Sequence, residues 1–206
     1  MAGILGNSMK KLLCICAAAL ALAGCGKKEE ETGLVITSAV EPVSEPADMR
    51  DYQWLNDEEP PFLEITPDES MRFFDEGGTG LLYFGRSNCP YCQRAVPELD
   101  AVLNEYGISV YYVDVDLSKL TYEKYEELLP YLDTALAVSE SGEKNFLIPN
   151  VIAVKEGKII GNHISLVDDF EFTSGDAQLD DKQKETLRDI YRDLIKIGRA
   201  SCRERV

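Results

Sequence analysis

Histidine and tryptophan occur once each in these 206 residues, as His163 and Trp54, and 21 basic residues face 37 acidic ones. Each shortage excludes something. A structural zinc ion takes four ligands, mostly cysteine and histidine, whereas this chain offers one close cysteine pair and one histidine, so no metal site is expected. The formal charge of −16 makes a surface that repels nucleic acid and anionic lipid. The apolar stretch from Leu12 to Leu22 is too short to span a bilayer.

What is present in a telling arrangement is cysteine. Cys89-Pro90-Tyr91-Cys92 follows the apolar run Leu81-Leu82-Tyr83-Phe84. A strand that delivers Cys-x-x-Cys to the start of a helix brings both sulfurs together across the first turn. The unpaired N–H groups at the helix N-terminus favour the thiolate of the first cysteine. That thiolate attacks a substrate disulfide and the second cysteine resolves the mixed disulfide. A purely structural disulfide is the alternative, but it closes a tiny loop and stabilises little.

The remaining chain alternates strand and helix signals. Val96, Leu99 and Leu103 recur at helical spacing after Cys92, with Pro97 expected to kink the helix. Ile108–Val115 reads as a buried strand. Ile148–Val154, Lys155–Lys158 and Ile159-Ile160 read as strand, Gly-containing turn and strand, hence a hairpin. Leu187, Ile190, Tyr191, Leu194 and Ile195 mark an amphipathic helix capped by Asp180 or Asp181. Nearer the N-terminus, Pro61–Ile65 can form a first strand, and Thr66-Pro67-Asp68-Glu69 opens a helix as a capping box. The outline is an α/β sandwich.

Between Leu117 and Phe146 lies an extra segment. Tyr122, Tyr125, Leu128 and Leu129, then Tyr131, Leu132 and Leu136, predict one helix broken near Pro130 that covers the sheet. A polar loop over Ser139–Asn145 follows and could border a substrate groove. His163 has no evident partner and is expected to be structural or exposed.

Three marks together resemble the thioredoxin-like family over about Phe62 to Ile195: the Cys89–Cys92 motif, Pro97 eight positions after the first cysteine, and Ile148-Pro149 before a strand. The resemblance implies a thioredoxin fold, a central mixed sheet flanked by helices, with the helical insertion placed before a cis-proline. It implies that Pro149 forms the cis peptide facing the cysteines and that the backbone of Ile148 binds an extended substrate segment. Cys89 would be the attacking and Cys92 the resolving thiol, with Pro90 and Tyr91 tuning the redox balance. The lesser alternative for Pro149, on the residues alone, is an ordinary edge-strand proline. The run Tyr83–Cys92 is most similar to thioredoxin-like proteins called bacteriocin transport accessory proteins. The motif wording is shared with glutaredoxins, which are compact and cytosolic. Two positions depart from thioredoxin itself. Tyr83 stands where the family has a buried aspartate, leaving proton transfer to be served by water, and Asn88 replaces the usual tryptophan.

The N-terminus resembles a bacterial lipoprotein signal. Lys10 and Lys11 precede the apolar stretch, which ends in Leu22-Ala23-Gly24-Cys25. Residues 1–24 would be removed, with Met9 the expected start, and Cys25 would carry the lipid. Cys14 and Cys16 then belong to the removed peptide. Residues 25–60, rich in Glu, Lys, Pro, Ser and Thr, read as a largely disordered tether. Over some 35 residues its reach is roughly 30–35 Å, with Tyr52, Trp54 and Leu55 able to dock and shorten it. Residues 61–196 form the expected domain. Residues 197–206, Cys202 among them, switch to a basic, pattern-free tail that looks non-native. Removing Lys10, Lys11, Arg199, Arg203, Arg205 and Glu204 takes the charge to −20.

The sequence thus predicts an extracytoplasmic, membrane-anchored thiol–disulfide oxidoreductase acting on exported proteins or peptides. It needs no organic cofactor, only a redox partner. The rival from another class is a non-catalytic lipoprotein that binds an exported peptide or a transporter through the same scaffold.

Overall fold

The computed structural model describes residues 40–203. In chain order these form β1 (Glu45–Pro46), β2 (Phe62–Glu64), α1 (Pro67–Asp75), β3 (Gly80–Gly85), α2 (Pro90–Tyr106), β4 (Val110–Asp114) and α3 (Tyr122–Leu132). A short 3-10 turn (Asp133–Ala135), β5 (Ala137–Val138), β6 (Lys144–Asn145), β7 (Asn150–Lys155), β8 (Lys158–Ile164) and α4 (Asp181–Arg203) follow. Six strands make one sheet in the order β1-β2-β4-β3-β7-β8. β2, β4 and β3 run parallel, while β1, β7 and β8 each run antiparallel to their neighbours.

β3 lies near the middle of this sheet and is buried at every position, as its unbroken apolar run requires. Its side chains alternate between two cores. Leu81 and Tyr83 join Val96, Leu99 and Leu103 of α2 and Leu187, Tyr191 and Leu194 of α4. Leu82 and Phe84 join Phe73 and Phe74 of α1 and Leu128 and Leu132 of α3 on the opposite face. Burial of each such leucine or phenylalanine contributes about 1.5–3 kcal/mol. The sheet is therefore sandwiched, and its central strand ends at the cysteine loop.

Local chemistry explains the element ends. Thr66 caps α1, its hydroxyl accepting from the Glu69 N–H at 3.1 Å. The reciprocal half of the expected capping box is absent, because the Glu69 carboxylate instead accepts from the Val43 N–H at 2.8 Å and pairs with Arg72 at 2.6 Å. The hairpin between β7 and β8 turns at Glu156 and Gly157, both with positive φ (49° and 71°), the two-residue geometry whose twist suits flanking strands.

Four expectations meet a different structure. The packed chain begins well before Pro61: β1 pairs with β2, and Met49 and Tyr52 are buried in the core. Tyr52, Trp54 and Leu55 dock as expected, and the difference lies further back, where β1 and Met49 extend the docked stretch of the residue 25–60 tether. Secondly, α3 is not broken at Pro130. Proline removes the donor to the Glu126 carbonyl, but both residues are exposed, so water can serve that carbonyl while the helix continues to bury Leu132. Thirdly, the loop over 139–145 is closed by the small β5–β6 hairpin. Fourthly, α4 runs past the expected domain boundary at residue 196 to Arg203, which does not bear on whether residues 197–206 are native. The expected signal peptide, lipidation at Cys25 and the side chain of Cys202 lie outside the described residues.

Candidate active site

The loop leaving β3 turns back at Arg86, whose carbonyl accepts from the Cys89 N–H at 3.2 Å. Cys89 is then the N-cap of α2, with an extended backbone (φ −91°, ψ 120°), and Pro90 takes the first helical position, where its missing N–H costs nothing. The Cys89 sulfur occupies the place of a capping oxygen, accepting from the Cys92 N–H at 3.3 Å. Both cysteines are free thiols here. Cys89 is 8% exposed and Cys92 fully buried.

The two sulfurs consequently differ in acidity. Cys89 is lowered from 9.0 to about 6, chiefly by the Cys92 thiol donating to it. The N–H groups of Cys92 and Tyr91 and the charge of Arg86 add to this, while burial opposes it. Cys92 is driven far above the ordinary thiol range, first by burial, then by the hydrogen bond it donates to Cys89 and by that neighbour's negative charge. The arrangement gives one available thiolate and one protonated thiol behind it.

Behind Cys92 the wall is phenolic. Tyr83 stacks on Tyr112 with ring centroids 5.5 Å apart, and Tyr112 in turn meets Tyr52, hydroxyl to hydroxyl, at 3.2 Å. The Tyr83 and Tyr191 hydroxyls are buried without a hydrogen-bond partner. Gly85 makes room for the Tyr83 ring: a Cβ there would overlap its hydroxyl. Burial raises the Tyr83 phenol well above its usual range, so it remains a proton donor.

Ile148–Pro149 is cis, as the resemblance implies. The register pairing Phe84 with Asn150 sets Pro149 beside Gly85, at the strand end that leads to the cysteines. Pro149 offers its carbonyl to the Ser165 N–H at 2.8 Å. Ile148 packs against both cores. Tyr91 remains 41% exposed, its ring edge-on to Phe172 at 4.7 Å. His163 is half-buried against Tyr191 at 6.0 Å, away from the cysteine loop in sequence and facing an aromatic ring.

Two side chains that sequence reasoning passed over hold the start of α2. Gln93 donates to the Asp51 and Ser87 carbonyls at 2.7 and 2.6 Å and accepts from the Gln53 N–H. Arg94 donates to the carbonyls of Pro90, Gly175 and Ala177. Its guanidinium lies between the Trp54 and Phe172 rings at 4.4 and 4.6 Å. Polar residues in the first turn of an amphipathic helix look solvated in a sequence; only the arrival of residues 51–54 and 170–177 buries them.

With that geometry fixed, comparison with known proteins adds one match. Residues 75–128 resemble the family TraF, described as the F plasmid transfer operon protein. The fold is thioredoxin-like. The match begins at the last residue of α1, takes in β3, α2 and β4, and ends within α3, about a quarter of the chain. It includes Cys89 and Cys92 but stops short of Ile148 and Pro149. It lies with this family and not with the bacteriocin transport accessory proteins that the motif's flanks resemble. No curated protein matches the chain.

Proposed function

We propose that this thioredoxin-like protein is a thiol–disulfide oxidoreductase, anchored outside the cytoplasm through lipid on Cys25 and acting on exported proteins or peptides. The observation that carries the reading is the unequal pair: an acidic thiol at the N-cap of α2 and a buried, protonated one a turn behind. The Cys89 thiolate attacks one sulfur of a substrate disulfide, forming a Cys89–substrate disulfide and releasing a substrate thiolate. Cys92 then gives up its proton and its sulfur attacks Cys89, releasing the second substrate thiolate. Two electrons leave the pair and reduce one disulfide; the reverse sequence oxidises a dithiol. A separate thiol or disulfide partner must reset the pair. Pro90 and Tyr91 set its balance, and Ile148 with Pro149 positions the substrate chain.

The test is the reduction potential of Cys89–Cys92, equilibrated against glutathione, together with single Cys→Ser variants. A potential near −270 mV marks a reductase and one near −120 mV an oxidant. Cys92→Ser should accumulate mixed disulfides and Cys89→Ser none. If the pair cannot be cycled by any thiol reagent and partner capture survives the loss of both cysteines, the protein is a binding module and the proposal fails.

A further inference from the structure

An apolar cavity of about 330 Å³ opens beside the cysteine loop. Leu117, Leu120, Tyr122 and Tyr125, from the β4–α3 connection and the start of α3, line it together with Phe146 and Ile148. Arg86 is the one charged side chain in the lining. Leu117 and Tyr122 are 79% and 75% exposed. Both line the same opening, so they carry its apolar lining out to the surface of a chain of charge −16.

The occupant follows from what adjoins the cavity. Arg86 belongs to the same turn as Cys89, and Ile148 immediately precedes the cis-proline. A polypeptide disulfide-bonded to Cys89 and lying along Ile148 therefore has its neighbouring side chains over this opening. The volume is at the lower end for ligand pockets and suits one or two side chains, not a cofactor. Three of the lining residues carry aromatic rings, which favour an aromatic guest edge-to-face. Arg86 sets the one cation of the lining where the face of a guest ring would lie. No carboxylate lines the cavity, so a lysine or arginine side chain finds no counter-charge inside it.

We propose that this cavity is a specificity pocket for a bulky aromatic side chain flanking the substrate cysteine. The protein thereby selects exported chains by the residue next to the disulfide as well as by the disulfide. This inference rests on the redox reading above and deepens it.

The test uses the protein with short peptides carrying one cysteine as a mixed disulfide with glutathione. Phenylalanine is moved through the three positions on either side of that cysteine, in an otherwise alanine and serine background. At one or more positions phenylalanine should raise kcat/KM about tenfold over alanine, the scale of discrimination a hydrophobic pocket provides. Leu117→Asp should erase that preference, phenylalanine and alanine peptides then reacting equally within the variant; the ratio is what is read, because a carboxylate beside Arg86 also acts on Cys89, and the rate on a small aromatic-free disulfide, hydroxyethyl disulfide, measures that change. Equal rates for phenylalanine and alanine peptides at every position overturn the proposal. So does a Leu117→Asp variant that keeps the preference but changes the sedimentation of the protein, which would make the cavity a self-association surface. If the wild type reduces neither peptides nor hydroxyethyl disulfide, the redox reading fails instead. Fluorescence binding of the same peptides in thiol form then decides the pocket: phenylalanine-dependent affinity lost in Leu117→Asp supports it, and indifference refutes it.

Discussion

Carboxamidomethylation of Cys89 by iodoacetamide should have a pH profile unlike that of an ordinary thiol. Lowering from 9.0 to about 6 leaves about 90% thiolate at pH 7, against about 1% unperturbed. The same shift weakens the nucleophile: with a Brønsted slope of 0.4–0.5, three units cost about 20-fold in intrinsic reactivity. The net effect at pH 7 is only about a fourfold advantage over a pKa 9 thiol. At pH 5 the advantage grows to about 40-fold, and at pH 9 it inverts to about a tenfold disadvantage. Alkylation of the reduced protein, followed by mass spectrometry, should therefore rise between pH 5 and 7 and stay flat above, with Cys92 unmodified throughout. Because the Cys92 thiol is the largest cause of the lowering, Cys92→Ala should move the midpoint up by about a unit or more. A wild-type midpoint at pH 8 or higher, or labelling of Cys92 at the same rate, would refute the assignment of roles to the two sulfurs.

Four further outcomes can be checked. Relative to Cys89→Ser, the reduced protein should gain stability as pH rises between about 6 and 9, since a group whose folded pKa is lowered stabilises above its unfolded pKa and loses that on falling through the folded one; urea titrations at several pH values measure this. Tyr83→Phe removes a buried hydroxyl without a partner, so stability should hold or rise by up to about 1 kcal/mol. Resolution of the mixed disulfide should nevertheless slow, because that phenol, although not hydrogen-bonded to the Cys92 thiol, is a neighbour that favours its thiolate; stopped-flow chase of a trapped Cys89 adduct reads it. Gly85→Ala should cost about 1–3 kcal/mol through overlap with Tyr83, and much of that cost should persist in the Tyr83→Phe background, because the ring carbons 2.5 and 2.9 Å from the new Cβ remain; full relief by Tyr83→Phe would contradict the packing. Arg94→Met should cost about 3 kcal/mol by leaving three carbonyls without their donor, and should expose residues 168–178 to limited proteolysis.

Much of this fold could be read in advance, for local reasons. The β3 run, the Cys-x-x-Cys turn, the Thr66 cap and the Gly157 hairpin are each specified within a few residues, by periodicity or by a required backbone angle. What could not be read is decided by distant partners. Met49 looks like a stray apolar residue in a polar stretch until the α2 side of the sheet provides a surface for it. Arg94 looks like a solvated helix residue until Trp54 and Phe172 enclose it. Pro130 looks like a helix breaker because the pattern does not say whether the affected carbonyl faces water. The same holds at the site. The identities of Cys89, Cys92, Ile148 and Pro149 stand out as a motif, but the apolar cavity beside them is assembled from residues 86 to 148 and has no motif of its own.

The burial of Cys92 also has a timetable. The buried cluster that includes it draws on β3 and α2 and, as far along as Leu187 and Tyr191, on α4. A chain made from its N-terminus releases the cysteines first and the α4 residues last. At 5–20 residues per second, the hundred or so residues between Cys92 and Tyr191 take roughly 5–20 s to emerge. Until then neither sulfur is shielded, and either can be captured by a passing thiol or disulfide. The difference in acidity between the two cysteines belongs to the folded protein, so whatever keeps the pair from premature pairing during synthesis must act before α4 arrives.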